Sequence, residues 1–216
     1  MDTQIGRQIV KLALWSELAL ILLGAPWFLL EPVRSLNGWD LEGLLAGAAM
    51  ASIMLAVSFA LSSLAEYAGG EHSKIAASLQ RTTPTLAHAL QQIYRFQREI
   101  VHPLCEQISV PQALLIAVFS GVGEELFFRG LLSSLLFKAL PFSIGLLAVN
   151  FLFAIVHFLD RTKEFWAVVP LYVVAGLCFS YVTEYQGSLF GAMIAHALFN
   201  FVSITVNRTS QGNRQQ

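Results

Sequence analysis

Six stretches of this chain run for about the length of a membrane span with almost no charge, and that pattern leaves few folds open. They cover residues 9–30, 41–64, 111–140, 142–159, 165–185 and 188–206. Crossing a hydrocarbon core of about 30 Å takes roughly 20 helical residues. A backbone in lipid has no water to bond, so helices must satisfy its amides internally. With 56% of its residues hydrophobic, 12% charged and a mean hydropathy of +0.62, the chain is too apolar for a soluble globule of 216 residues. The expected fold is all-α: a polytopic integral membrane protein of about six transmembrane helices plus an amphipathic cytoplasmic linker helix. The formal net charge of −1 provides no basic footprint for nucleic acid.

Residues 1–65 hold two N-terminal spans, 66–110 the one polar region, 111–206 a core of four spans and 207–216 a polar tail expected to fray. Glu17 interrupts the first span; it could line the interior, but a single polar residue in a span carries little functional weight. Residues 31–38 form a connector with Pro32, Asn37 and Gly38 as breakers. Gly43, Gly47, Ala48, Ala51 and Ser52 of the second span suit close helix contact in lipid.

In the polar region, Thr83 and Pro84 read as an N-cap followed by proline at the first helical position. Leu86, Leu90, Ile93 and Ile100 recur near helical spacing, which predicts an amphipathic helix on the membrane face, ended by His102 and Pro103. His72, His88 and His102 lack metal-ligand spacing and read as solvated. Cys105 and Cys178 make no disulfide framework and read as packing residues. No signal-peptide cleavage pattern precedes the first span, so Met1 is taken as the mature start. With the N-terminus inside, Arg7, Lys11, Lys74, Arg81, Arg95, Arg98, Arg161, Lys163, Arg208 and Arg214 are cytoplasmic, ten of 13 basic residues. That bias predicts a plasma-membrane protein with both termini in the cytoplasm.

Residues 120–130 set Glu124, Glu125 and Arg129 inside an apolar run. Ionisable groups in a span are costly and default to a functional hypothesis. On a helix, Glu125 and Arg129 stand i,i+4 with the acid N-terminal, the favourable order for an ion pair. Glu124 points about 100° away and is left free for chemistry. A buried structural pair with one polar passenger is the plainer alternative. His157 lies on the fourth span, and His196 and Asn200 lie i,i+4 on one face of the sixth. A single such histidine is usually a satisfied core residue, but burying each polar group alone in lipid costs several kcal/mol, which favours gathering them around one wet cavity. A carboxylate in apolar surroundings can act as general base toward water, with histidine relaying the proton. His and Asn side chains can donate to a developing oxyanion. These are the parts needed to hydrolyse an amide. H-E-x-x-H and G-x-S-x-G are both absent, and Asp2, Asp40 and Asp160 lie at or outside span ends.

The series Glu124-Glu125-x-x-x-Arg129, Phe153-x-x-x-His157 and His196-x-x-x-Asn200 resembles the three ordered motifs of the CAAX protease and bacteriocin-processing family, which includes the type II CAAX prenyl endopeptidases. The likeness covers roughly residues 110–203. It implies an intramembrane endopeptidase acting on a membrane-associated protein or peptide at the bilayer. Glu124 then takes the place of the water-activating glutamate, His157 assists it, His196 and Asn200 stabilise the oxyanion, and Glu125 and Arg129 form the supporting pair. The family also includes members with immunity or unknown roles, so a non-catalytic peptide-binding or scaffold protein is the rival reading. Proton transport is a third, without the inverted repeat it would call for.

Two expectations concern geometry. Glu124 lies thirteen residues beyond Pro111, roughly 20 Å along a helix, whereas His157 is near the end of its span. The third helix should therefore project past the membrane boundary or kink near Gly121 and Gly123. Glu124, His157 and His196 could form a two-histidine, one-carboxylate zinc site. That site would consume the free base, and no further acid is evident near either histidine to orient it. The expected cofactor is none, with zinc as the alternative.

Overall fold

The computed structural model describes residues 4–30, 39–69, 74–158 and 166–209, and every element among them is helical. The connector at 31–38, His72 and the basic residues at 161 and 163 lie outside the described residues. The N-terminal part is α1 (Gln4–Gly24), the short α2 (Trp27–Leu30) and α3 (Leu41–Gly69). The linker contains α4 (Lys74–Thr82), α5 (Pro84–Phe96), a π-helical stretch Gln97–Val101 and α6 (His102–Glu106). The core follows with α7 (Val110–Glu124), a second π-helical stretch Glu125–Leu132, α8 (Ser133–Ala139), α9 (Phe142–Val156), α10 (Val169–Gln186) and α11 (Phe190–Thr209). Helix α11 packs on α3, α7 and α10, while α1 packs on α7 and the second π stretch.

The protein is a multi-pass membrane protein, but its helices depart from six uniform spans. Among the described residues three segments are long and apolar enough to cross a bilayer: Gln4–Leu29, Leu41–Ala68 and Phe190–Thr209. Phe142–Val156 is a shorter apolar helix. The expected third run is divided by its charged π stretch, and the fifth is an 18-residue helix carrying Ser180, Thr183 and Glu184.

The linker differs from its expected form in three ways. The chain stays helical beyond His102, because Pro103 falls in the first turn of α6, where its missing N–H costs little. An additional helix, α4, precedes Thr83. The apolar side of α5 is covered by protein: Ala87, Leu90 and Ile93 are buried, and Leu90 and Ile93 pack with Ala65 and Ala68 of α3 and with Ala154, Phe158, Val168 and Val169. Two polar contacts also fasten the linker to the rest of the protein. The Ala167 N–H donates to Gln92 Oε1, and Gln97 Nε2 donates to Ser62 Oγ.

His88 is exposed and meets Gln92, whereas His102 Nδ1 bonds the Asn207 carbonyl at 3.1 Å and ties the linker to α11. Residues 207–209 accordingly remain helical instead of fraying. Burial, aided by Glu106, pushes the Cys105 thiol up to about 11, which suits its packing role. Leu90→Ala is expected to cost about 2–5 kcal/mol of stability, seen as a lower melting point in detergent. Leu86→Ala, at a position 50% exposed, should leave melting almost unchanged.

Candidate active site

Helix α7 begins at a capping box, with the Ser109 N–H donating to Gln112 Oε1 at 2.8 Å. It stays regular through Gly121 and Gly123, so the expected kink is not at the glycines. The irregularity starts at Glu125, where the ladder widens to π geometry through Leu132. Such π segments are rare and frequent at functional sites. The Ser133 N–H and Oγ both reach the Phe128 carbonyl and close the wide turn. Across this stretch Glu125, Leu126, Phe128, Arg129 and Gly130 are all buried.

Glu125 Oε1 accepts from Arg129 Nη1 at 3.1 Å and from His196 Nδ1 at 2.7 Å. The i,i+4 pair is therefore present, with His196 as a third member that spacing alone did not reveal. Arg129 Nη2 donates to Asn150 Oδ1 at 3.1 Å and to the Gly176 carbonyl at 3.0 Å. A Cβ on Gly176 would lie 2.9 Å from that nitrogen, so only glycine permits the approach. The guanidinium lies over Phe153, 4.2 Å from the ring centroid, and 5.3 Å from Phe179. Asn150 Nδ2 also donates to the Leu146 carbonyl and to Ser180 Oγ, which locks the amide. Sequence reading missed Asn150; its signal was an amide in the middle of an apolar helix.

His196 stacks on Phe179, with centroids 4.5 Å apart and planes at 10°. Because a carboxylate only accepts, His196 Nδ1 carries hydrogen toward Glu125 and Nε2 faces away from it. Asn200, one turn on, donates from Nδ2 to Ser120 Oγ at 2.8 Å, one turn before Glu124.

Glu124 Oε2 lies 3.5 Å from His157 Nε2 and has no hydrogen-bond partner among the described residues. His157 ends α9, and its Nδ1 bonds the Phe153 carbonyl at 2.7 Å. A carbonyl also only accepts, so that bond puts the Nδ1 hydrogen inward and turns Nε2 toward Glu124. The His157 side chain is 28% accessible against 10% for Glu124, which makes it the open side of the site. The six residues thus fall into three linked groups: Glu124 with His157, Glu125 with Arg129 and His196, and Asn200 with Ser120.

The histidines do have orienting partners, Glu125 for His196 and the Phe153 carbonyl for His157, contrary to one of the two reasons for disfavouring zinc. Among the described residues no three His, Cys, Asp or Glu side chains gather as a ligand set. Residues 106–202 match the family model described as Rce1-like type II CAAX prenyl endopeptidase. No curated protein and no solved structure matches the chain.

Replacing Arg129 with Ala would leave Glu125 buried without its cation, at an expected cost of about 3–5 kcal/mol. Asn150→Ala removes one acceptor and should cost on the order of 1–3 kcal/mol. Thermal unfolding in detergent measures both, and wild-type melting of Arg129→Ala would show the pair to be dispensable for the fold.

Proposed function

Since residues 106–202 make this chain a member of the CAAX protease and bacteriocin-processing family, we propose that it is an intramembrane endopeptidase in which Glu124 activates the attacking water. The observation that carries this reading is the buried Glu124 carboxyl, whose Oε2 has no hydrogen-bond partner among the described residues and lies 3.5 Å from a histidine nitrogen on the open side of the site. A carboxylate so placed takes a proton from water while the water oxygen bonds to the scissile carbonyl carbon. The carbon–nitrogen bond then breaks, and the proton passes to the leaving amine from Glu124 or through His157. Charge developing on the carbonyl oxygen calls for donors. Asn200 uses one amide hydrogen on Ser120 and keeps a second. His196, its Nδ1 held by Glu125, turns Nε2 to the same side and donates from it when that nitrogen carries hydrogen. Glu125 and Arg129 act here as supports that hold His196 in place.

We place no metal in these steps. The substrate is a membrane-associated protein or peptide, and the family's description makes an S-prenylated cysteine near a peptide C-terminus the first probe to use. In a reconstituted assay with a fluorogenic S-farnesyl peptide, Glu124→Gln is expected to lose at least about 10²-fold in turnover while melting like wild type. Wild-type turnover in that variant would remove Glu124 as the base. Activity is expected to survive extended chelation, and its loss with recovery on added zinc would reverse the metal-free assignment.

A further inference from the structure

We propose that Glu17 of α1 is a positioning residue for Glu124, the two carboxyls sharing one proton that holds the Glu124 carboxylate in its working orientation. This rests on the reading of Glu124 as the base, and it starts from burial. Glu17 is 8% exposed and Glu124 7%, and Oε2 of each has no hydrogen-bond partner among the described residues. The two carboxyls nevertheless approach each other where α1 packs on α7. Gly123 makes this approach possible. A Cβ there would lie 2.8 Å from the Glu17 carbonyl oxygen and 2.9 Å from its Oε2, so the carboxyl rests against backbone immediately before Glu124.

Two ionised carboxylates in such contact repel, and no cation is free to separate them among the described residues. Arg129 is engaged by Glu125, Asn150 and Gly176, and His157 stands off at 3.5 Å. A single proton between them converts repulsion into an O–H···O⁻ bond. The other titratable groups around the pair are His157, Tyr172, Glu125, Arg129 and His196. Of these, His157 faces Glu124 from α9 and Tyr172 of α10 packs on the His157 ring, leaving Glu17 as the partner from α1. A carboxylate tethered on the α1 side has one oxygen committed and the other directed to water. Losing the tether should lower kcat more than it raises KM.

The test compares Glu17→Gln, Glu17→Leu and Glu124→Gln in lipid nanodiscs. Infrared spectroscopy at neutral pH, which needs no substrate, should show a protonated-carboxyl C=O band in wild type. That band should be lost in Glu17→Gln and shifted in Glu124→Gln. With the S-farnesyl peptide, Glu17→Leu is expected to lose about tenfold in kcat with little change in KM. Glu17→Gln, a permanent amide donor, should recover most of that and lack the alkaline fall in rate that accompanies loss of the shared proton. A C=O band unchanged by Glu17→Gln overturns the proposal whether or not the peptide is cleaved. So do Glu17 variants with wild-type kcat beside an inactive Glu124→Gln. Wild-type turnover in Glu124→Gln would instead remove the catalytic reading, and the band would still decide whether the proton is shared.

Discussion

The Glu125–Arg129 ion pair has side chains 0% and 1% accessible, and much of the surrounding structure answers the cost of keeping it there. Taking two charges out of water is offset only when their remaining lone pairs and N–H groups also find partners. That requirement ties the π stretch to three other helices. Asn150 comes from α9, the Gly176 carbonyl from α10, and His196 from α11. The Phe153 and Phe179 rings flank the guanidinium, and Ser180 holds the Asn150 amide. Satisfaction is incomplete, since Glu125 Oε2 and Arg129 Nε have no partner among the described residues. A buried pair left partly unpaired is better explained by what it positions than by the stability it adds.

Adjacent acids acquire different characters from this arrangement. Glu125 is enclosed by donors and serves as an anchor. Glu124, one residue earlier, turns away from the guanidinium toward His157 and Glu17. Two carboxyls with contrasting surroundings are the usual means by which one fold separates a structural charge from a reactive one. The change from α to π geometry falls between them, and the wider turn begins at the anchor.

The linker shows how far periodicity can be trusted. Its apolar positions correctly indicate a helix beginning at Pro84, and Leu90 and Ile93 do lie on one face. Periodicity says only that this face is apolar, since lipid and protein both accept apolar side chains. Here the face meets protein, and Gln92 and Gln97 find partners at Ala167 and Ser62, far away in the chain. The same limit applies to proline. Pro103 reads locally as a stop, but after a widened stretch it sits at the start of a new helical turn.

Helical period and the cost of polar groups in lipid made several features legible in the chain alone. These are the helical class, the Glu125–Arg129 pair, the placing of His196 and Asn200 one turn apart, and the ordered motifs that mark the family. All are relations within one helix or along the chain. Contacts between helices depend on the depth and rotation of each, and these are set by packing. Gly123 lets α1 close enough to bring Glu17 beside Glu124, and Gly176 offers its carbonyl to Arg129 where any Cβ would block it. An isolated acid in α1 and an amide in α9 carry no local sign of their partners, because those partners lie on other helices. Only the tertiary structure could make Glu17 and Asn150 part of the site.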